Sequence, residues 1–246
     1  MKQHILLTLA ATAVALIVFI AIQFLIIRFN GSPITVPTIE RSERIAGAGP
    51  RLSYAVMGDS TSISQGSEYK DGFAAASIAH LSNRFTVRSI NTGISGATTE
   101  EVRSEQLDHV LKFKPDLVLL AAGANDTTHF VRGKTIHESL QFIIDELRRI
   151  NPNVKIIVTG SPAMDSVTRF PHGAKQLMAL RTSQVNAVYD EIINKNNLLH
   201  APIAEKTRDA FIADPTLTAA DNFHPNKRGY ALWIPVINQA IDRAVR

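Results

Sequence analysis

Five short apolar runs, each followed by a loop of small and polar residues, constrain the fold of this 246-residue chain more than any other feature. They are LSYAVM (52–57), FTVRSI (85–90), DLVLLAA (116–122), VKIIVTG (154–160) and, more weakly, LLHAPI (198–203). Runs this short and continuously apolar suit strands buried on both faces, since a strand covered on one face alternates apolar with polar. Between them lie segments with helical spacing. Thr135 and Glu138 fit a capping box, and Leu140, Ile143, Ile144 and Leu147 then recur on one stripe. Thr98 with Glu101 opens a second helix carrying Leu107, Val110 and Leu111, and Leu177, Leu180, Gln184, Val185 and Val188 mark a third. Strand, helix, strand at this rhythm predicts an α/β fold in which helices sandwich a central parallel sheet, with right-handed crossovers. Ligands of such sheets sit beyond the carboxyl ends of the strands.

The loops at those ends are chemically distinctive. GDS (58–60) follows the first strand, NTGISGATT (91–99) the second, GAND (123–126) the third and GSPAM (160–164) the fourth. Near the C-terminus, ADNFHPNKRGY (220–230) places Asp221 and His224 three residues apart ahead of a final helix. One rim of the sheet thus receives Ser60, Gly93, Asn125, Asp221 and His224. Taken singly, each has a bland explanation: Gly, Asp and Ser form turns, Asn125 and Asp126 cap or turn a helix, and His224 stands before Pro225. Taken together they make a site.

In these blocks the chain resembles the SGNH hydrolases of the GDSL esterase and lipase superfamily. Ser60 in GDS matches the first block, Gly93 in NTG the second, Asn125 in GAND the third, and Asp221 with His224 in DNFHP the last, over roughly residues 52–243. Each block alone is common; the ordered set is specific. One departure is the glycine that often closely follows GDS, here delayed to Gly66 by TSISQ, which bears on the shape of the first loop. The resemblance implies a flavodoxin-like three-layer α/β/α sandwich.

The chemistry also follows from the side chains. A serine hydroxyl is a poor nucleophile until a base removes its proton, and the His224 imidazole is the candidate base. Asp221 would hold that ring in one tautomer and stabilise its charged form. The oxyanion formed on attack needs fixed donors, for which the Ser60 and Gly93 N–H groups and the Asn125 amide are candidates. Asp59, beside the nucleophile, reads as a hydrogen-bonding turn residue. Met164, Phe170, Phe211 and Phe223 are candidates for an apolar acyl pocket, or for core. Cleavage of carboxylic esters through an acyl-enzyme is the expected activity on lipid, acyl or O-acetyl carbohydrate esters. Acyl transfer on the same triad, or a silent anchored binding module, are the alternatives. No G-x-S-x-G elbow is present, His137-Glu138 is not H-E-x-x-H, and GAGP (47–50) precedes a strand, so no metal and no cofactor is expected.

Residues 5–27, ILLTLAATAVALIVFIAIQFLII, contain no charge, and 23 residues at about 1.5 Å each reach some 35 Å, enough to cross a bilayer. A cleaved signal has a shorter apolar region and a small-residue cleavage site, so an uncleaved membrane anchor over 1–28 is expected, with secretion after cleavage as the alternative. Residues 29–50 mix Gly, Pro, Ser and charge without period and read as a stalk to a hydrolase domain over 51–246. Lys2 stands before the apolar run, and Arg28, Arg41 and Arg44 after it, so the positive-inside bias is slight; an extracytoplasmic domain is preferred. Beyond residue 28, 24 basic side chains face 22 acidic ones, which gives no case for nucleic acid. With no cysteine, thiol catalysis and disulfides are excluded.

Overall fold

Strand β2 (Arg51–Gly58) runs down the middle of a six-stranded sheet ordered β1-β3-β2-β4-β5-β6, where β1 is Arg44–Ala46, β3 Thr86–Asn91, β4 Leu117–Ala121, β5 Lys155–Val158 and β6 Leu199–His200. The structure, a computed structural model, describes residues 2–39 and 43–246, apart from the side chains of residues 2–7 and 24. Strands β2 to β6 pair in parallel, Met57 against Leu120 and Leu119 against Ile157, for example. Strand β1 pairs antiparallel with β3, so the sheet is mixed at its edge. Its three residues, all exposed, come from the segment expected as a stalk.

Alternate residues of the central strands serve two cores. Ala55, Met57, Val118 and Leu120 face α4 (Leu107–Phe113), α6 (Gly133–Ile150) and α7 (His172–Asn196). Tyr54, Val56, Leu117 and Leu119 face α2 (Phe73–Ser82), α8 (Ile203–Ala213) and α9 (Lys227–Ala244). This is the three-layer α/β/α arrangement, and it explains strands that are apolar at every position. Each buried Leu or Ile contributes roughly 1.5–3 kcal/mol of transfer free energy. The Tyr54 hydroxyl is partnered by Ser77 Oγ at 2.9 Å.

Two helix starts were expected from capping boxes. At Thr98 the box is complete: Thr98 accepts from Glu101 N and the Glu101 carboxylate accepts from Thr98 N, opening α3 (Thr99–Glu101). The segment Val102–Gln106 then forms a π-helical turn before α4. At Thr135 the box is absent, because α6 starts two residues earlier with Arg132 at its cap, leaving Thr135 inside the first turn. In α7 the buried stripe is Met178, Thr182, Val185, Tyr189 and Ile192, whereas Leu177 and Leu180, expected on the apolar face, are 48% and 58% exposed.

Helix α1 (Lys2–Phe29) is long and apolar enough to cross a membrane over Thr8–Phe29, by length and composition. The chain after it does not leave the domain. Asn30 Nδ2 donates to the carbonyls of Thr168 and Arg169 at 2.9 and 3.1 Å, its Oδ1 accepts from Asn222 Nδ2 at 2.9 Å, and Ser32 N donates to Ala220 O at 2.7 Å. Arg41, used above in judging orientation, lies outside the described residues.

Candidate active site

The turn after β2 is built to hold Ser60 at the sheet edge. Asp59 Oδ1 accepts from Thr61 N and Thr61 Oγ1 at 2.9 and 2.7 Å, and Gln65 N donates back to Ser60 O at 3.0 Å. Gln106, fully buried at the end of the π turn, donates to Gly58 O and accepts from Gly58 N, so one side-chain amide fixes the end of the strand. The delayed Gly66 closes this loop with φ +98°, in the region that favours glycine, and a Cβ there would stand 2.5 Å from Pro225 O and 2.9 Å from His224 Cβ. The five residues between GDS and Gly66 therefore form one compact turn packed on the histidine.

Across from Ser60, the loop 218–225 is a tight reversal, with Ala219 N donating to His224 O at 2.8 Å and Thr218 bridging to Pro225. The Asp221 carboxylate organises it. Oδ1 accepts from the N–H groups of Phe223 and His224 at 3.0 and 3.1 Å, while Oδ2 meets His224 Nδ1 at 2.6 Å. His224 Nε2 in turn lies 2.9 Å from Ser60 Oγ. The three side chains are nearly enclosed, with Ser60 at 4% exposure. Burial by itself raises the Asp221 carboxyl, but the bonds from His224 and the two N–H groups outweigh it, and the carboxyl sits below its usual range. Asp221 is thus a fixed anion facing the ring nitrogen remote from serine, the arrangement that lets imidazole accept a proton from Ser60.

Next to this triad, burial pushes the Asp59 carboxyl up to about 6, against the pull of its Thr61 bonds and of His224. Asp126 is also raised by burial, against the bonds it accepts from Thr99 N and Thr99 Oγ1.

The candidate oxyanion donors are differently placed. Among the described residues nothing accepts from Ser60 N–H. Asn125, in the short helix α5 (Ala124–Thr128), donates one amide hydrogen to Ala97 O at 3.0 Å and keeps the other. Gly93 N donates to Asn91 Oδ1 at 2.9 Å, and a Cβ at Gly93 would stand 2.0 Å from Ser62 Oγ. Gly93 thus leaves room for Ser62 Oγ, which donates to Asp59 O at 2.6 Å, whatever its own N–H does.

A small cavity opens at Ser60 and His224, and Met164, Phe211 and Phe223 line it. Trp233, Val167 and Arg208, which the sequence did not single out, complete its walls, Arg208 being paired with Asp165 at 2.5 Å. Phe170 is not in this cavity. It packs edge-on behind Phe223, rings 6.2 Å apart, and lines a second, larger groove.

The model of the GDSL-like lipase/acylhydrolase family matches residues 56–232. A search of curated protein sequences finds no match. Among solved structures, TesA superposes with a TM-score of 0.65 at 18% identity, covering 78% of this chain and 99% of its own. A mutant of Axe2, an acetyl-xylooligosaccharide esterase from Geobacillus stearothermophilus, gives 0.66 at 20%, covering 78% and 95%. The lipase/acylhydrolase from Enterococcus faecalis gives 0.62 at 23%, covering 78% and 96%. At these identities the structural likeness speaks for the fold.

Proposed function

This chain belongs to the GDSL-like lipase/acylhydrolase family, and from that premise we propose that it cleaves carboxylic esters through an acyl-enzyme formed on Ser60. The observation that carries the proposal is the unbroken chain Ser60 Oγ, His224 Nε2, His224 Nδ1, Asp221 Oδ2, with links of 2.9 and 2.6 Å. His224 takes the Ser60 proton as Oγ bonds to the ester carbonyl carbon. The tetrahedral oxyanion is met by Ser60 N–H and the free amide hydrogen of Asn125. Collapse breaks the bond to the alkoxy oxygen, which leaves with the proton from His224. Water, deprotonated by the same ring, then attacks the acyl carbon, and Ser60 leaves with the proton returned to it. Asp221 stays ionised throughout and stabilises the imidazolium.

The cavity beside Ser60, walled by Met164, Phe211, Phe223 and Trp233, is apolar and suits the acyl group. We also propose that α1 anchors the chain in a membrane through residues 5–27 with the hydrolase domain outside the cytoplasm, which its length and lack of charge support. A fluorophosphonate probe on the full chain tests the mechanism: it should label Ser60, with labelling suppressed in His224→Ala. Labelling mapped to another serine, with Ser60 unmodified, sinks the assignment. Extraction of membranes at alkaline pH tests the anchor, and release of the intact chain into the soluble fraction refutes it.

A further inference from the structure

Helix α1 does not stand clear of the domain. Its last turns lie against the start of α7: Phe19 covers Gly173, where a Cβ would stand 2.9 Å from its ring, and Ile27 packs against the cluster that holds Phe170 and Met178. Arg169 Nε donates to Ile27 O at 3.1 Å, and the Asn30 bonds fix the exit of the helix onto the loop bearing Asp221. Between α1 and α7 runs a groove far larger than the cavity at Ser60. Asn125 and Phe223 stand at its inner end, and Phe223 also lines the cavity at the nucleophile.

Length decides where this groove sits. If the whole domain stood in water, the stretch of α1 left for lipid would be residues 5–18, about 21 Å of helix against roughly 30 Å of hydrocarbon. The last turns of α1 must therefore enter the bilayer, and they take with them the edge of the domain that packs on them. That edge is prepared for it. Leu177 and Leu180 on α7 and Phe130 before α6 are about half exposed, in a helix whose sequence pattern would otherwise bury the two leucines. Arg28 and Arg169 line the groove and no carboxylate does, as suits a boundary of headgroups. Within the groove, Gln23 Oε1 is buried with no hydrogen-bond partner among the described residues, an acceptor ready for a hydroxyl or amide donor.

Resting on the anchored-esterase reading above, we propose that the α1–α7 groove receives the hydrocarbon chain of an ester-bearing bilayer amphiphile. The ester then passes Phe223 to Ser60 while the chain stays in the leaflet. The substrate class is thereby a membrane lipid ester, and α1 is one wall of its binding site as well as an anchor.

The test uses the full-length Ser60→Ala chain in phosphatidylglycerol vesicles carrying a phospholipid with a diazirine on its acyl chain. Photolysis should place adducts on α1 and also on α7 within residues 174–178. Adducts on α1 without any on α7 overturn the proposal, whether the groove is empty or covered by a second copy. Absence from both overturns the anchor reading instead. In the active chain, Ala174→Trp, which fills the groove, should lower the ratio of turnover on the vesicle phospholipid to that on a soluble acetate ester at least ten-fold. An unchanged ratio overturns the proposal. Fluorophosphonate labelling of Ser60 in the active chain and in its Ala174→Trp variant separates the turnover result from failure of the hydrolase itself.

Discussion

Asp59 is 2% exposed and its carboxyl is pushed up to about 6 by burial, so its ionisation opposes folding. The unfolded carboxyl titrates near 3.8. Between those values the folded chain binds the proton more tightly than the unfolded one, and stability falls as pH rises through the window. Below about 3.8 the contribution is fully present; above about 6 it is gone. A separation of some 2 pH units corresponds to roughly 3 kcal/mol. Asp59→Asn removes the charge but keeps an amide oxygen where Oδ1 accepts from Thr61 N and Thr61 Oγ1. The variant should therefore match the native chain near pH 4 and exceed it by up to about 3 kcal/mol at pH 7.5. For a chain of this length that is a melting difference of roughly 6–12 °C.

Fluorescence of Trp233, the only tryptophan and a buried wall of the cavity at Ser60, reports the melt of the hydrolase domain directly. The comparison is made on full-length protein in detergent at pH steps from 4 to 7.5. Because Asp221, held below its usual range, acts in the opposite direction, only the difference between the two chains isolates Asp59. An Asp59→Asn chain no more stable than the native one at pH 7.5, with a parallel pH dependence, would refute the placement of a costly buried charge here.

Three further perturbations address neighbouring parts of the site. Asn125→Ala should lower kcat by about 10²–10³ with little change in KM, measured on the same preparation as a melt; a lowered melt with near-normal kcat would instead assign Asn125 to holding Ala97. Gly66→Ala forces an alanine to φ +98° and a Cβ against His224 and Pro225, so kcat and melting temperature should fall together; a native-like pair of values would show that the loop yields. Asn30→Ala removes its two donated bonds and the one it accepts, each worth roughly 0.5–1.5 kcal/mol net, and should lower both the melt and kcat by loosening the Asp221 loop. Asn30→Asp, which keeps the acceptor for Asn222 but sets a carboxylate oxygen against the Thr168 and Arg169 carbonyls, should lose at least as much; recovery in this variant would remove the two donated bonds from the argument.

The juxtaposition of Ser60, His224 and Asp221 was legible because they sit in loops whose position is dictated by strand order. A GDS turn after one parallel strand and a D-x-x-H loop before the last helix fall on the same rim by topology, before any distance is known. What could not be read is whatever depends on which face a helix turns inward. The leucines at 177 and 180 lie at helical spacing with Val185 and Val188, yet only the two valines reach the sheet core, beside Tyr189 and Ile192, while the leucines stay exposed. Periodicity states that a helix has a face; only packing states which one is covered. Gln106, Trp233 and the Asp165–Arg208 pair were invisible for the same reason, each reaching its partner across dozens of residues or more. Strand β1 escaped notice because three residues bracketed by glycines and charges carry no period at all.

Gly93 shows how a place on the rim and a proposed role can separate. Its N–H is engaged by Asn91 Oδ1, and the same Asn91 amide donates to Ser62 O at 2.7 Å. Asn91 thus ties the second loop to the turn that carries Ser60. For Gly93 to donate to an oxyanion, its N–H must share or exchange this bond, and the exchange gains only the difference between a charged and a neutral acceptor. Ser60 N–H and the second Asn125 hydrogen face no such competition. In the proposed mechanism they carry the developing charge first, and Gly93 strengthens the hole only to the extent that the oxyanion outcompetes Asn91. A side chain at Gly93 would nonetheless have to move Ser62 Oγ, which donates to Asp59 O at 2.6 Å within the turn that carries Ser60.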